Sequence, residues 1–234
     1  MNIPLFLKQH RLKIGGIAGI LGIQYFLAEF IAASAWATSY SWSRNYISDL
    51  GVPECLNTGQ LDRIVCSPLH DVMNAGFILQ AVIVATATAC FIHLLSKRWR
   101  YPIAVIATIY CIGLLLVGLF PGSVAENLGG DSTRMMFHGI GALMAILGGN
   151  ILVIMTALSV RTIFPDYAII SLLLGIIGLT ASLLFAAQID FGFGIGTIER
   201  IAVDPIVVWT MLTGVAVLTA LFGRSRTPER FLPQ

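Results

Sequence analysis

Hydrophobic residues run along the chain in six long and continuous stretches. Each stretch is long enough to cross about 30 Å of hydrocarbon as an α-helix, which takes about 20 residues. Membrane β-strands alternate polar and apolar positions, whereas these stretches are unbroken and rich in Leu, Ile, Ala and Gly. The pattern therefore predicts membrane-spanning helices at approximately residues 14–35, 67–95, 101–120, 135–159, 167–187 and 204–222.

Composition strengthens this interpretation. Of the 234 residues, 57% are hydrophobic and only 11% are charged, whereas a soluble domain carries about 25% charged residues. No linker, low-complexity tract or second soluble domain interrupts the pattern. We expect an all-α protein, a polytopic six-transmembrane-helix bundle that forms a single integral membrane domain over residues 1–234.

The distribution of charge predicts the orientation. Ten of the fourteen Lys and Arg residues fall in the N-terminus, residues 96–100, residues 161–166 and the C-terminal tail, which gives these segments a net charge of +8 against −6 for the opposite side. Short loops rich in Lys and Arg stay in the cytoplasm. Both termini are thus expected to be cytoplasmic, in a plasma or inner membrane. One alternative is that the first stretch, which ends in Ala33-Ser34-Ala35, is a cleaved signal peptide, although it is long for one.

The four cysteines fall into two pairs. Cys55 and Cys66 share the first outer loop, where an oxidising compartment favours a disulfide. A metal pair is the alternative, but no further ligand lies at zinc-like spacing. Cys90 and Cys111 fall within predicted helices two and three, where they are expected to be core residues.

The outer ends of the even-numbered helices carry capping residues and arginines. Ser67-Pro68 and Asp204-Pro205 are typical helix starts, and residues 131–133 offer caps for helix four. The positive ends of these helix dipoles face outward, so nearby guanidinium groups would complete a site for an anionic headgroup. The candidate ligand-binding arginines are Arg44, Arg134 and Arg200. The alternative is ion pairing, of Arg200 with Asp204 or of Arg44 with Asp49.

Four short motifs occur in order along the chain: Asn-Tyr-Ile-Ser-Asp-Leu-Gly at 45–51, Gly-Leu-Phe-Pro at 118–121, Phe-His-Gly at 137–139 and Gly-Thr-Ile-Glu-Arg-Ile at 196–201. With six helices, this order resembles the prokaryotic membrane family known as domain of unknown function 998. The resemblance implies the six-helix fold and no established activity. Residues 122–131 depart from the family pattern, in which an acidic residue soon follows the proline. The 46–51 motif is also similar to the Frag1/DRAM/Sfk1 membrane proteins, some of which are linked to lipid remodelling or lipid-kinase regulation.

Candidate catalytic residues lie among these motifs. Asp49, His138, Glu199 and His70 are titratable groups at a partly desolvated membrane edge, where acid–base chemistry can be tuned. Ser48 is a further candidate for ligand binding, although a local turn with Asp49 explains it equally well.

A metal site is a separate hypothesis. His70, Asp71 and His138 would supply two imidazoles and a carboxylate to a divalent metal such as zinc, leaving a position open for water. The alternative is that each histidine simply forms hydrogen bonds at the interface. A haem held between helices is less favoured, since His93 has no second histidine to form a helix-centre pair.

The leading functional hypothesis is an outward-facing polar pocket that binds an anionic lipid or lipid-linked headgroup, with hydrolysis or transfer of that group left open. The alternative is a non-catalytic protein that regulates another membrane protein or associates with itself, whose polar residues form a structural clamp. The basic tails are short and lack interleaved aromatic residues, so nucleic acid is not an expected partner.

The topology generates a first testable prediction. A green fluorescent protein fused after Gln234 should fluoresce, and an alkaline phosphatase fused at the same position should be inactive, because the basic segments keep the C-terminus in the cytoplasm. An active phosphatase fusion would reverse the orientation.

Overall fold

The computed structural model describes residues 5–36, 40–57, 64–123 and 132–224. Within these residues, six helical segments are long and apolar enough to cross a membrane, which confirms the predicted number. The helices are α1 (Leu5–Ile20), a 3-10 turn (Leu21–Ile23), α2 (Gln24–Ser34), α3 (His70–Phe91), a second 3-10 turn (Ile92–Leu94), α4 (Lys97–Leu119), α5 (Ser132–Val160), α6 (Pro165–Ala186) and α7 (Ile195–Arg224).

The six spans form a ring in sequence order. The first span, α1 and α2, packs against α3, and each later helix packs against the next. The ring closes where α1 meets α7, and α5 also touches α7 across the interior. Each helix therefore lies antiparallel to both neighbours, and α2 ends where α7 begins. We call this end of the bundle the outer end, following the predicted topology.

Small residues allow the ring to close. Gly19 lies against the backbone of Thr210 and Gly214, so that α1 and α7 touch main chain to main chain. In lipid, such close approach gains van der Waals contact that larger side chains would prevent. A fully buried amide adds polar contacts: Asn150 Nδ2 donates to Ala202 O at 2.8 Å and to Ser182 Oγ at 3.2 Å, joining α5 to both α7 and α6.

The loop before α3 contains the pair of outer cysteines. Cys55 and Cys66 form a disulfide, which confirms the predicted bond. Next to it, Leu56–Asn57 and Ile64–Val65 pair as a two-residue antiparallel ladder.

The predicted start of the last helix was wrong. This helix begins at Ile195, nine residues before the predicted start, and Pro205 lies inside it. The polar residues of its first turns are buried against other parts of the protein, so their polarity had indicated a loop. Helix α3 begins at His70, three residues after the predicted start, and the proposed cap Ser67 instead donates from its Oγ to Leu50 O at 2.7 Å. The proposed cap Asp131 lies outside the described residues.

Two glycines of α5 supply a matched test of the packing. A Cβ at Gly141 would lie 2.7 Å from Leu116 Cβ and 3.0 Å from Val117 N, whereas a Cβ at Gly139 meets nothing within 4 Å. We expect Gly141→Ala to lower the free energy of unfolding by about 1–3 kcal/mol. Gly139→Ala should leave it unchanged or raise it by up to about 1 kcal/mol. Denaturant titration in micelles measures both, and equal effects would contradict the α4–α5 seam.

Candidate functional site

Arg200 is the centre of the polar contacts at the outer end. Its Nη2 lies 2.9 Å from Glu29 Oε1 on α2 and also donates to the hydroxyl of Tyr40. The guanidinium carbon sits 4.9 Å from the centre of the Trp42 ring and 5.4 Å from that of Tyr40, within the range of cation–π attraction. Burial raises the pKa of the Tyr40 phenol above its ordinary value, although the Arg200 charge acts in the opposite sense, so this hydroxyl stays protonated.

The same guanidinium also holds the main chain. Nη1 of Arg200 donates to the carbonyl oxygens of Trp42 at 2.8 Å, Asn45 at 3.1 Å and Gly196 at 3.0 Å. One side chain of α7 thus fixes residues 40–51, which we call the outer segment, to the helix ends. Such a buried cation needs full compensation, because an unpaired charge at membrane depth is costly.

Two buried carboxylates complete the attachment of the outer segment. Glu199 Oε2 accepts a hydrogen bond from Ile47 N at 2.6 Å. Asp49 Oδ2 accepts from Tyr46 N at 2.9 Å and from Asn45 Nδ2 at 3.2 Å. Both acids are about 95% buried. They satisfy backbone donors that the tight turn would otherwise leave without partners.

Glycines explain the motif that precedes Glu199. Gly196 N donates to Ser43 O at 2.8 Å, and a Cβ at Gly196 would lie 3.0 Å from that oxygen. Gly194 has φ +89°, a conformation that side chains rarely adopt. The outer segment therefore lies directly on the backbone of the first turn of α7.

Arg134 and His138 belong to a second group of contacts. Arg134 Nη2 donates to Glu54 Oε1 at 2.6 Å, and Ser123 Oγ donates to the same oxygen at 3.1 Å. Burial tends to raise the pKa of the Glu54 carboxyl, but the hydrogen bonds and the Arg134 charge outweigh it and hold that pKa below its ordinary value. His138 Nδ1 is 2.9 Å from Phe120 O.

His70 lines a separate cavity of about 410 Å³ between α3 and α4. Its Nδ1 is 3.0 Å from Ser67 O, and its Nε2 is 3.4 Å from Asp71 Oδ1. Among the described residues, no three His, Cys, Asp or Glu side chains are placed to hold a metal ion. The predicted set of His70, Asp71 and His138 is thus not assembled as a ligand group: His70 and Asp71 line this cavity, and His138 does not.

The predicted site residues therefore belong to separate groups of contacts and do not line one pocket. Asp49, Glu199 and Arg200 converge on the outer segment, whereas Arg134 pairs with Glu54. Ser48 starts a 3-10 turn over Ser48–Gly51. Arg200 forms an ion pair, as the alternative interpretation expected, but its partner is Glu29 and not the suggested Asp204.

Other predicted and unpredicted residues complete the description. Arg44 is exposed. Tyr40 and Trp42 were not predicted as site residues. Their signal was present, because aromatic residues beside a buried arginine are its common partners.

A groove opens between α6 and α7 beside Arg200. Its volume is about 460 Å³, and it is lined by Trp42, Ser43, Leu174, Thr197, Arg200, Ile201, Asp204, Pro205 and Val208. Trp42, Ser43 and Thr197 lie at the outer end, while Leu174 and Val208 sit near the middle of their helices. Asp204 lies between them, in the third turn of α7 and one turn before Val208. The carboxylate oxygen Oδ1 of Asp204 is buried and accepts no hydrogen bond from the part of the chain that the structure describes.

The ring of six spans and the buried polar contacts at one end define a polytopic α-helical membrane protein whose outer segment is fixed by ion pairing. The family described as protein of unknown function (DUF998) matches residues 20–216. The chain belongs to this family, and the matched region includes every residue of both polar groups. No curated protein and no solved structure matches the chain.

The contacts of Arg200 generate a prediction about stability. We expect Arg200→Met to lower the free energy of unfolding by about 3–5 kcal/mol, because it leaves the Glu29 carboxylate buried without its cation. Adding Glu29→Leu should recover part of this loss. Arg44→Ala, which alters an exposed arginine of the outer segment, is the control and should change little. Thermal unfolding in micelles measures the stability of each variant. Equal losses of stability for Arg200→Met and Arg44→Ala would contradict the role of the Arg200 contacts.

Proposed function

We propose that this chain is an integral membrane protein that binds a membrane lipid in the groove between α6 and α7. The observation that carries the proposal is the gradient along the groove wall. Trp42 and Thr197 provide aromatic and polar surface at the outer end, Asp204 adds a carboxyl group about two helical turns deeper, and Leu174 and Val208 provide apolar surface near the middle of their helices. An amphiphile with its headgroup outward matches this order.

The position of the groove supports a lipid as the occupant. Val208 and Ile201 are 43% and 40% exposed on the outward-facing side of α7, the side that would meet hydrocarbon in a membrane. The groove volume of about 460 Å³ lies within the range of about 300–1,000 Å³ for small-molecule sites. Only part of a lipid would fit inside it, so the acyl chains would extend into the bilayer.

The chemistry of the site favours binding over a reaction. Asp49 and Glu199, proposed above as acid–base groups, accept hydrogen bonds from backbone N–H groups. An acceptor engaged in this way is poorly placed to take a proton from a substrate. Both Nη atoms of Arg200 are also occupied, so the headgroup would be held by the remaining groove surface.

A second candidate is a non-catalytic protein that stabilises or regulates a membrane partner. It is favoured by the same contacts of Arg200, which serve the chain's own outer segment. In that case the groove would be a packing defect without a specific occupant. Lipid binding separates the two candidates.

Two valines of α7 allow a matched test. Val208 lines the groove, whereas Val215 lies two turns further along the same helix, is similarly exposed at 46%, and does not line it. We expect Val208→Trp to fill the groove and weaken the affinity for lipid by at least about tenfold. Val215→Trp should leave that affinity unchanged. Native mass spectrometry of the purified chain measures the lipid that remains bound. Equal retention by both variants, or no bound lipid in the unsubstituted protein, would contradict the proposal.

A further inference from the structure

Asp204 has an unusual position for a carboxylate on a membrane helix. Arg200 lies one turn before it on α7, the spacing at which oppositely charged side chains commonly pair. Here the guanidinium instead faces Glu29, Tyr40 and the carbonyl oxygens of the outer segment. Asp204 lines the groove, and its buried Oδ1 lacks a hydrogen-bond donor among the described residues.

Three acidic side chains share the charge of Arg200 beside the groove. Glu29, Glu199 and Asp204 all lie within its electrostatic reach. Glu29 has the ion pair and Glu199 has the Ile47 amide, so Asp204 is the one of these three acids without a direct partner among the described residues. A carboxylate in such surroundings is stabilised by a donor that also carries positive charge.

The aromatic side chain at the outer end of the groove does not compensate Asp204. Trp42 is 45% exposed and lines the groove, but its ring already lies 4.9 Å from the Arg200 guanidinium. A headgroup that carries only negative charge would be placed beside the Asp204 carboxylate, which lacks a direct partner among the described residues.

We propose that the groove selects a lipid whose headgroup bears a primary amine, with the ammonium group donating to the Asp204 carboxylate. This inference rests on the proposed function, and it names the substrate class of that same groove. A primary ammonium has N–H donors, which a quaternary ammonium lacks, so the Asp204 carboxylate discriminates between them. The apolar half of the groove favours the intact lipid over a soluble molecule that has the same headgroup but no acyl chains.

The test compares three lipids with identical acyl chains. The delipidated full chain is titrated with phosphatidylethanolamine, phosphatidylcholine and phosphatidylglycerol, and binding is measured by native mass spectrometry. We expect phosphatidylethanolamine to bind at least about tenfold more tightly than the other two, the size of one charge-assisted hydrogen bond. Asp204→Asn should abolish this preference while total lipid binding persists. Asp166→Asn, which alters an exposed acid at the opposite end of α6, should retain it.

The outcomes separate this inference from the proposed function. Val208→Trp could displace lipid while the three lipids bind equally, or while Asp204→Asn keeps the preference. Either result would contradict selection of a primary amine and would leave the proposal of lipid binding in the groove supported. If glycerophosphoethanolamine, which lacks acyl chains, competes as well as the intact lipid, the occupant is a soluble amine. If no lipid binds, the proposed function itself fails.

Discussion

The arrangement of the outer end depends on the burial of one guanidinium group. Arg200 lies in the second turn of the last span, and a charge without compensation at membrane depth is costly. Its compensation comes from Glu29 on the first span and from three main-chain carbonyls. Because these partners come from opposite ends of the sequence, satisfying one cation forces the first span, the outer segment and the last span together.

The helix seams make this arrangement geometrically accessible. Gly19 and Gly214 bring α1 and α7 into backbone contact, which places Glu29 and Arg200 on adjacent helices at the same end. The packing of small residues and the pairing of charges thus act on one interface at two depths. Small residues set the separation of the helices, and the charges set their rotation and register.

The parts of the structure that follow from hydrophobicity were predictable, and those that follow from buried polarity were not. Continuous apolar runs gave all six spans, and two cysteines in one loop gave the disulfide. The start of α7 was missed because Glu199, Arg200 and Asp204 look like loop residues until their partners are known. The contacts between helices could not be predicted from the sequence. Glu29 and Arg200 are 171 positions apart, and no local pattern specifies a contact between two helices. The separation of Arg134 and His138 from Arg200 depends on the order of helices around the ring, which sequence periodicity does not encode.

Closure of the ring between the first and last spans also orders events during synthesis. Glu29 and the outer segment emerge from the ribosome long before α7, and their main partners arrive only when the chain is nearly complete. Long-range contacts of this kind form late in assembly. Glu29 therefore has no Arg200 partner until the last span is inserted, and an acid in the membrane without its cation is costly. Insertion of α7 is the step at which this ion pair can first form.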